Sequence, residues 1–466
     1  MLPNVDIHRR LEGFDWVVDS ECNECRSLES LRKAILVTID GWGTNFVGAY
    51  GNSLCGTPNL DHFAANSIVF DRAYTSSSLL DAVLQSISNG QHPQERPLAG
   101  PIELAEVLQT IGKQSIFMTD DPAVAELEWV QSFNESFCFD PTQDEADSRD
   151  EEAADWTETR LAIFIEAALG ELARFSEQSD GLPDWTWLHL SGLAKTWDAP
   201  YEDRLQLCDE EDDPEPPRGI DPAEFEVTRA SDPDTIFGAA CGAAAQAKII
   251  DQLWVWLDAF LDELVDREEC LVILTGVRGY PLGEHRSVGF LDNELYSELI
   301  HIPLIVQPGK MLIGTRDNHL VQPMSIWVSI IDWLGIGESQ LQLAKAESEK
   351  RPLSTNLFAS HMDTAISPPT LPPICYVAIL ETSSLQVPRW SAVWEQINDP
   401  TGMDSSEAIR LYLSPDDRWQ QNDATSRAAE ISEAMLNVRN AYSQWLIDGC
   451  PRDSAPTLPE CLTRRV

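Results

Sequence analysis

The chain has 466 residues, enough for one large α/β domain with an appendage or for two or three ordinary domains. Its 43% hydrophobic content supports a sizeable core, yet 32 Lys and Arg stand against 77 Asp and Glu, a formal net charge of −45 with a pI near 4.3. So acidic a chain repels phosphate backbones and anionic lipid, which argues against nucleic acid and membrane surfaces as partners.

No run is long and apolar enough to span a bilayer, and "MLPNVDIHRRLEGFDWVVDS" lacks the apolar core and small-residue cleavage site of a signal peptide. Ten cysteines are scattered without framework spacing, which points to free thiols in a reducing compartment and a cytoplasmic location.

In chain order, residues 1–33 read as an N-terminal arm. "KAILVTID" (33–40) is a β-branched apolar run ending in a carboxylate, the pattern of a buried strand in a parallel sheet. "PNLDHFAANSIVF" has helical spacing, with Pro58 placed to begin the helix. "PIELAEVLQTIGKQSIFMTDDP" reads as helix, glycine stop and strand. "DWTWLHLSG" (184–192) is a further strand; "AQAKIIDQLWVWLDAFLDELVD" is a long amphipathic helix, and "CLVILTG" (270–276) the strand after it. Helices alternating with apolar strands predict a doubly wound α/β sheet.

Two acid-dense stretches, 140–156 and 208–227, read as solvated or partly disordered insertions, the second extending to about 235. After residue 365, "TAISPPTLPPI" reads as a linker. The short strands "CYVAIL" and "WSAVWEQI" and a helix near 427–446 then predict a small C-terminal α+β subdomain over 366–466, beside a main domain over 34–365.

The order of features from residue 33 to 446 resembles the sulfatase family of the alkaline phosphatase superfamily. "ILVTIDGWGTNFVGAYGNSLCGTPNLDHFAANSIVFDRAY" is similar to that family's opening strand, YGN element and TPNLD helix start. "CLVILTGVRGYPLGEHRS" is similar to its late strand and LGEH loop, and "LYLSPDDRWQQNDA" (411–424) to its C-terminal LYDL element. The resemblance implies a central, mostly parallel sheet flanked by helices. It also implies a site where carboxylates at strand ends hold a divalent cation, usually calcium, and a Cys or Ser at a helix N-terminus becomes the nucleophile.

The resemblance also locates what is missing. The family's aspartate pair falls at Asp40 and Gly41, and a glycine offers no side-chain ligand. Counting back from Gly90 puts Leu80 at the nucleophile, with Ala82, Val83 and Leu84 at the remaining motif positions. An aliphatic side chain has nothing to attack with. The late aspartate and His or Asn fall at Val277 and Arg278, the lysine after LGEH at Phe290, and the mid-chain histidine at Ala194 or Lys195. Arg278 is a permanent cation and would repel a metal.

These losses lead to three expectations. Asp40 pairs with Arg278 where the metal would sit, the alternative being an Asp40 bonded to turn N–H groups. Ser78 caps the following helix through "SLLD" rather than acting as a substitute nucleophile, and Leu80 and Val83 pack inward. The protein has lost ester hydrolysis, needs no cofactor, and serves as a binding or regulatory module for an unidentified ligand or protein. The competing possibility is a sulfate or phosphate ester hydrolase that uses Ser78, or Asp40 with Asp120 and Asp121, around calcium or magnesium. Asp121 also suits a helix cap before Pro122, His285 reads as a loop residue, and Cys22 with Cys25 as an incidental pair.

Overall fold

Chain segments of branched apolar residues, each ending near a polar or glycine stop, assemble into the layered architecture the alternation predicts. The structure, a computed structural model, describes residues 32–96, 102–139, 152–179, 181–208, 213–291, 295–310, 314–343, 356–358, 360–361, 373–398, 405–451 and 454–463. The N-terminal arm with Cys22 and Cys25, most of the acidic stretch 140–156 and most of the 364–374 linker lie outside these residues. Arg32–Val466 form one compact unit.

The elements follow as β1 (Lys33–Ile39), α1 (Pro58–Ala64), β2 (Ile68–Phe70), α2 (Leu80–Asn89), α3 (Leu104–Thr110), β3 (Ser115–Thr119) and β4 (Glu135–Cys138). Next come α4 (Arg160–Ser179), β5 (Trp185–Leu190), β6 (Phe225–Glu226), α5 (Pro233–Leu264), β7 (Cys270–Gly276), β8 (Ser287–Val288), β9 (Leu304–Pro308), β10 (Thr315–Asp317) and α6 (Ser325–Trp333). The chain ends with β11 (Cys375–Ile379), β12 (Thr382–Gln386), β13 (Trp390–Asn398), β14 (Ser405–Leu413) and α7 (Ala429–Ile447).

Eight strands form one sheet in the order β10-β2-β9-β7-β1-β5-β3-β4, in which β9 alone runs antiparallel to its neighbours. β1 lies near the middle, in parallel register with β5 and β7. Its side chains alternate between two cores, as the period of a strand requires. Ile35, Val37 and Ile39 pack on the face covered by α1, α4 and α5. Ala34 and Leu36 pack on the face covered by α2, α3 and α6. On that second face Trp187 stacks 4.8 Å from Trp129, meets Phe117 edge-on at 5.4 Å, and donates its indole N–H to Thr38 at 2.9 Å.

A separate antiparallel sheet, β11-β12-β13-β14, backs onto α7 around Trp390, Trp394, Tyr442 and Trp445. Sequence reasoning finds β11, β13 and α7 but misses β12 and β14, whose polar "TSSLQ" and mixed "SSEAIRLYL" lack an apolar run. Buried Arg72 joins this sheet to the main one, donating to Val387 O, Pro388 O and Ser414 Oγ.

Beyond Cys208 the second acidic stretch is described from residue 213 onward, where only Pro216 and Ile220 are buried and the rest is exposed or half-buried. The carbonyls of Pro217 and Gly219 accept from the fully buried guanidinium of Arg204, and Ile220 is buried. Proline-rich backbone supplies carbonyls without competing N–H donors, which is what this cage uses. None of the described cysteines forms a disulfide, and no described helix is long and apolar enough to cross a membrane.

Truncating the central aromatic cluster should be costly. Trp187→Ala should lose about 3–5 kcal/mol in chemical denaturation, whereas Leu380→Ala, on an exposed turn, should change stability by about 0.5 kcal/mol or less. Equal effects would contradict this placement of the core.

Candidate functional site

The C-terminal ends of β7, β1, β5 and β3 lie side by side, so the residues that follow them share one rim. The segment entering α2 is tied to that rim by Thr75, whose hydroxyl donates to Val277 O at 2.6 Å.

At the centre, Asp40 and Arg278 form a bidentate pair. Arg278 Nε donates to Asp40 Oδ1 at 2.8 Å and Nη2 to Oδ2 at 2.9 Å, while Gly41 N donates to Oδ1 at 2.9 Å. A third guanidinium contact, Nη1 to Ser78 O at 3.0 Å, reaches the entry to α2. Phe290 lies against the guanidinium, its ring centre 3.7 Å from Cζ, so an aromatic face stands where the resemblance implies a lysine. Asp40 is 1% exposed. Burial disfavours the Arg278 charge, but the Asp40 charge and hydrogen bonds outweigh it and hold Arg278 above its ordinary range.

Calcium takes six to eight oxygens at about 2.3–2.6 Å, and these residues do not fit it. Both Asp40 oxygens are engaged by a permanent cation. Val277 is fully buried in the core, its amide bonded to Ile39 O. Gly41 sits at φ 71°, and a Cβ there would come within 3.1 Å of Ala194 N and Leu193 Cβ, so a second aspartate would be strained. Among the described residues no three His, Cys, Asp or Glu side chains are grouped to hold a metal ion.

The Ser78 cap is a correction. Leu79 is the N-cap of α2 and no side chain caps the helix; the Leu79 amide instead donates to Ser77 Oγ at 3.1 Å. Ser78 lies one residue too early for its hydroxyl to serve the free amides, and that buried hydroxyl has no partner. Val83 is fully buried, but Leu80 is only partly so, at the edge of the α2-side core.

Asp120 and Asp121 are bonded to groups of their own. Asp120 Oδ1 accepts from Ser191 N at 2.7 Å and Oδ2 from Ser191 Oγ at 2.6 Å. Asp121 caps the turn Pro122–Ala125 by accepting from Ala123 N at 3.0 Å, with Lys195 Nζ 3.5 Å away. His285 bonds to Glu298 and Gln420 O and stacks 3.9 Å from Tyr296, a loop role.

Sequence reasoning passed over His189 and Ser191. His189 is fully buried in β5, with Nδ1 3.0 Å from Thr38 Oγ1 and Nε2 unpartnered. Both residues sit in or just after a strand, and their long-range partners leave no mark in the local pattern.

Two predictions follow from this geometry. Arg278→Ala strands a buried carboxylate and should cost about 3–5 kcal/mol in chemical denaturation, with the Asp40→Asn/Arg278→Ala double variant losing distinctly less. Equal losses would show that the pair carries no mutual compensation. The second concerns pH. Burial pulls His92, His189 and His301 from 6.5 to about 4, so across that window the unfolded chain binds protons the folded one refuses, and stability falls with falling pH. Asp120 opposes this, because burial pushes its carboxyl from 3.8 to about 6 despite the Ser191 hydrogen bonds. Relative to the wild type, Asp120→Asn should lose more melting temperature as pH falls from 6.5 to 4; a smaller loss in the variant would contradict the assignment.

No family model matches the sequence, and no curated protein matches it. Solved structures do. One is BT4656, solved in complex with its substrate D-glucosamine-2-N,6-O-disulfate, at 13% identity over 91% of this chain and 99% of that one, with a TM-score of 0.66. The phosphonate monoester hydrolase of Agrobacterium radiobacter matches at 13% identity over 89% and 94% of the two chains, with a TM-score of 0.62. The 2-O GAG sulfatase BT1596 matches at 12% identity over 89% and 93%, with a TM-score of 0.59. This chain therefore has the fold of these sulfatases and of the phosphonate monoester hydrolase.

Proposed function

We propose that this protein is a sulfatase-fold module that has lost ester hydrolysis and acts by binding or regulation. The observation that carries the reading is the bidentate Arg278–Asp40 pair, with Arg278 Nε and Nη2 at 2.8 and 2.9 Å from the carboxylate. A guanidinium is always charged, and with both Asp40 oxygens already accepting from it a divalent cation would meet a like charge at close range. Leu80 at the helix start supplies no nucleophile, and the buried Val277 and left-handed Gly41 mean that no single substitution rebuilds a carboxylate cage. The acidic composition and the absence of a membrane-crossing helix among the described residues agree with a protein working away from nucleic acid and bilayers, in the cytoplasm.

A second reading has one observation in its favour. The Ser78 hydroxyl is buried and unpartnered beside the start of α2, where a nucleophile would stand in a sulfate or phosphate ester hydrolase. It would need calcium or magnesium on Asp40, Asp120 and Asp121, whose oxygens are committed to Arg278, Ser191 and the Ala123 amide.

Metal analysis of the purified protein, combined with aryl-sulfate and aryl-phosphate turnover, separates the two. The expected result is no stoichiometric calcium or magnesium and no turnover above buffer. Stoichiometric metal with turnover abolished in Ser78→Ala would overturn the proposal.

A further inference from the structure

The segment 197–208 and the proline-rich backbone after it lie along one stripe of α5. Gly242 meets the Trp197 ring so closely that a Cβ there would come within 2.6 Å of Cε3, and at Gly238 a Cβ would come within 2.8 Å of Pro217 Cδ. Gln246 Oε1 accepts from Ala199 N at 3.1 Å. Lys248 Nζ donates to Asp203 Oδ1 at 2.6 Å and to Gln206 Oε1 at 3.0 Å. Positions 238, 242 and 246 follow one another by a single turn, and 241 precedes 248 by two turns. Cys241 therefore shares the stripe that faces this segment.

Cys208 ends the same segment. Its amide donates to Leu205 O at 3.0 Å and its thiol to Pro214 O at 3.7 Å, which ties the sulfur to the proline-rich backbone. Cys241 is fully buried, Cys208 is half-buried, and the two thiols lie beside each other and interact. Neither is in a disulfide. Burial first, and the neighbouring Cys208 second, push the Cys241 thiol up to about 12. Cys241 is thus the protonated, sheltered member of the pair, and an oxidant arriving from solvent meets Cys208.

We propose that Cys208 and Cys241 form a reversible disulfide under hydrogen peroxide, with Cys208 as the attacking thiol and Cys241 as the resolving one. The Cys208 sulfur attacks one peroxide oxygen, the O–O bond breaks, and the other oxygen leaves as water with the thiol proton. The Cys241 sulfur then attacks the sulfenic acid on Cys208. The S–O bond breaks, the S–S bond forms, and a second water leaves. Two thiols are oxidised and one peroxide is reduced. A protonated Cys241 slows the second step, and adjacency offsets this, because the partner is held in place and needs no diffusion. The bond staples the start of the acidic stretch to α5. The pair shares no residue with the Asp40–Arg278 site, and its chemistry is the same whether or not ester hydrolysis is lost.

The test treats the full, fully reduced chain with hydrogen peroxide at neutral pH, then alkylates and digests it for peptide mass mapping. A linked pair of Cys208 and Cys241 peptides should be the dominant product and should disappear on adding dithiothreitol. Oxidation of the urea-unfolded chain should lose that dominance, because the fold supplies the juxtaposition. In Cys241→Ala the Cys208 sulfenic acid should persist and be trapped by dimedone, an adduct absent from the wild type. Cys208→Ser should leave Cys241 unmodified at the same dose. Cys208 is only half-buried, so its variant reads the pair without opening the core, and melting curves check both variants. No linked peptide, Cys208 carried on to sulfinic acid beside a free Cys241, or a dominant disulfide to any other cysteine would overturn the proposal. The same dominant link from the unfolded chain would overturn it as well.

Discussion

A carboxylate at 1% exposure at the end of a central strand has to be compensated, and in this fold the compensation comes from Arg278. The pairing is a fork meeting a fork, two parallel hydrogen bonds, with the third guanidinium contact on Ser78 O. One side chain thereby ties the end of β1, the loop after β7 and the entry to α2. The Phe290 ring covers its face, so the charge is shielded as well as paired. Removing the arginine would disconnect three elements and expose a cost that hydrophobic packing around Val277 cannot meet.

The neighbouring residues are consistent with that single substitution of charge. Gly41 takes a left-handed turn that presses the chain against Leu193 and Ala194, and Val277 turns into the α2-side core. Where the resemblance implies basic residues that grip an anion, β3 ends in two aspartates, and the loop after β5 offers Lys195 and Asp198. The N-terminus of α2, the natural place for an anion, begins with an exposed Leu79 and a partly buried Leu80. The strand ends present an ion pair, buried aspartates and aliphatic side chains.

How much of this was legible in the sequence depended on the range of the interaction. Strands such as 33–39, 185–190 and 270–276 announce themselves, because a strand buried on both faces must be apolar throughout. The Asp40–Arg278 pair was also readable, since the resemblance brings two strand ends together and only one carries a carboxylate and the other a cation. Polar strands such as Thr382–Gln386 were not, because they carry no apolar run and are held by backbone pairing with β11 and β13. Ser78 shows the limit at short range. The motif "SLLD" looks like a cap, but a one-residue shift in the helix start moves the cap to Leu79 and strands the hydroxyl. Ser191 and His189 were invisible for the first reason, their bonds running to other strands.

The central claim is that a guanidinium has taken the place a cation would occupy on Asp40. A crystal structure determined from crystals grown in excess calcium tests it most directly. The account predicts that Arg278 stays on Asp40 through both hydrogen bonds, with Phe290 against its face. Arg278 swung away, with a cation coordinated by the Asp40 oxygens, would contradict it.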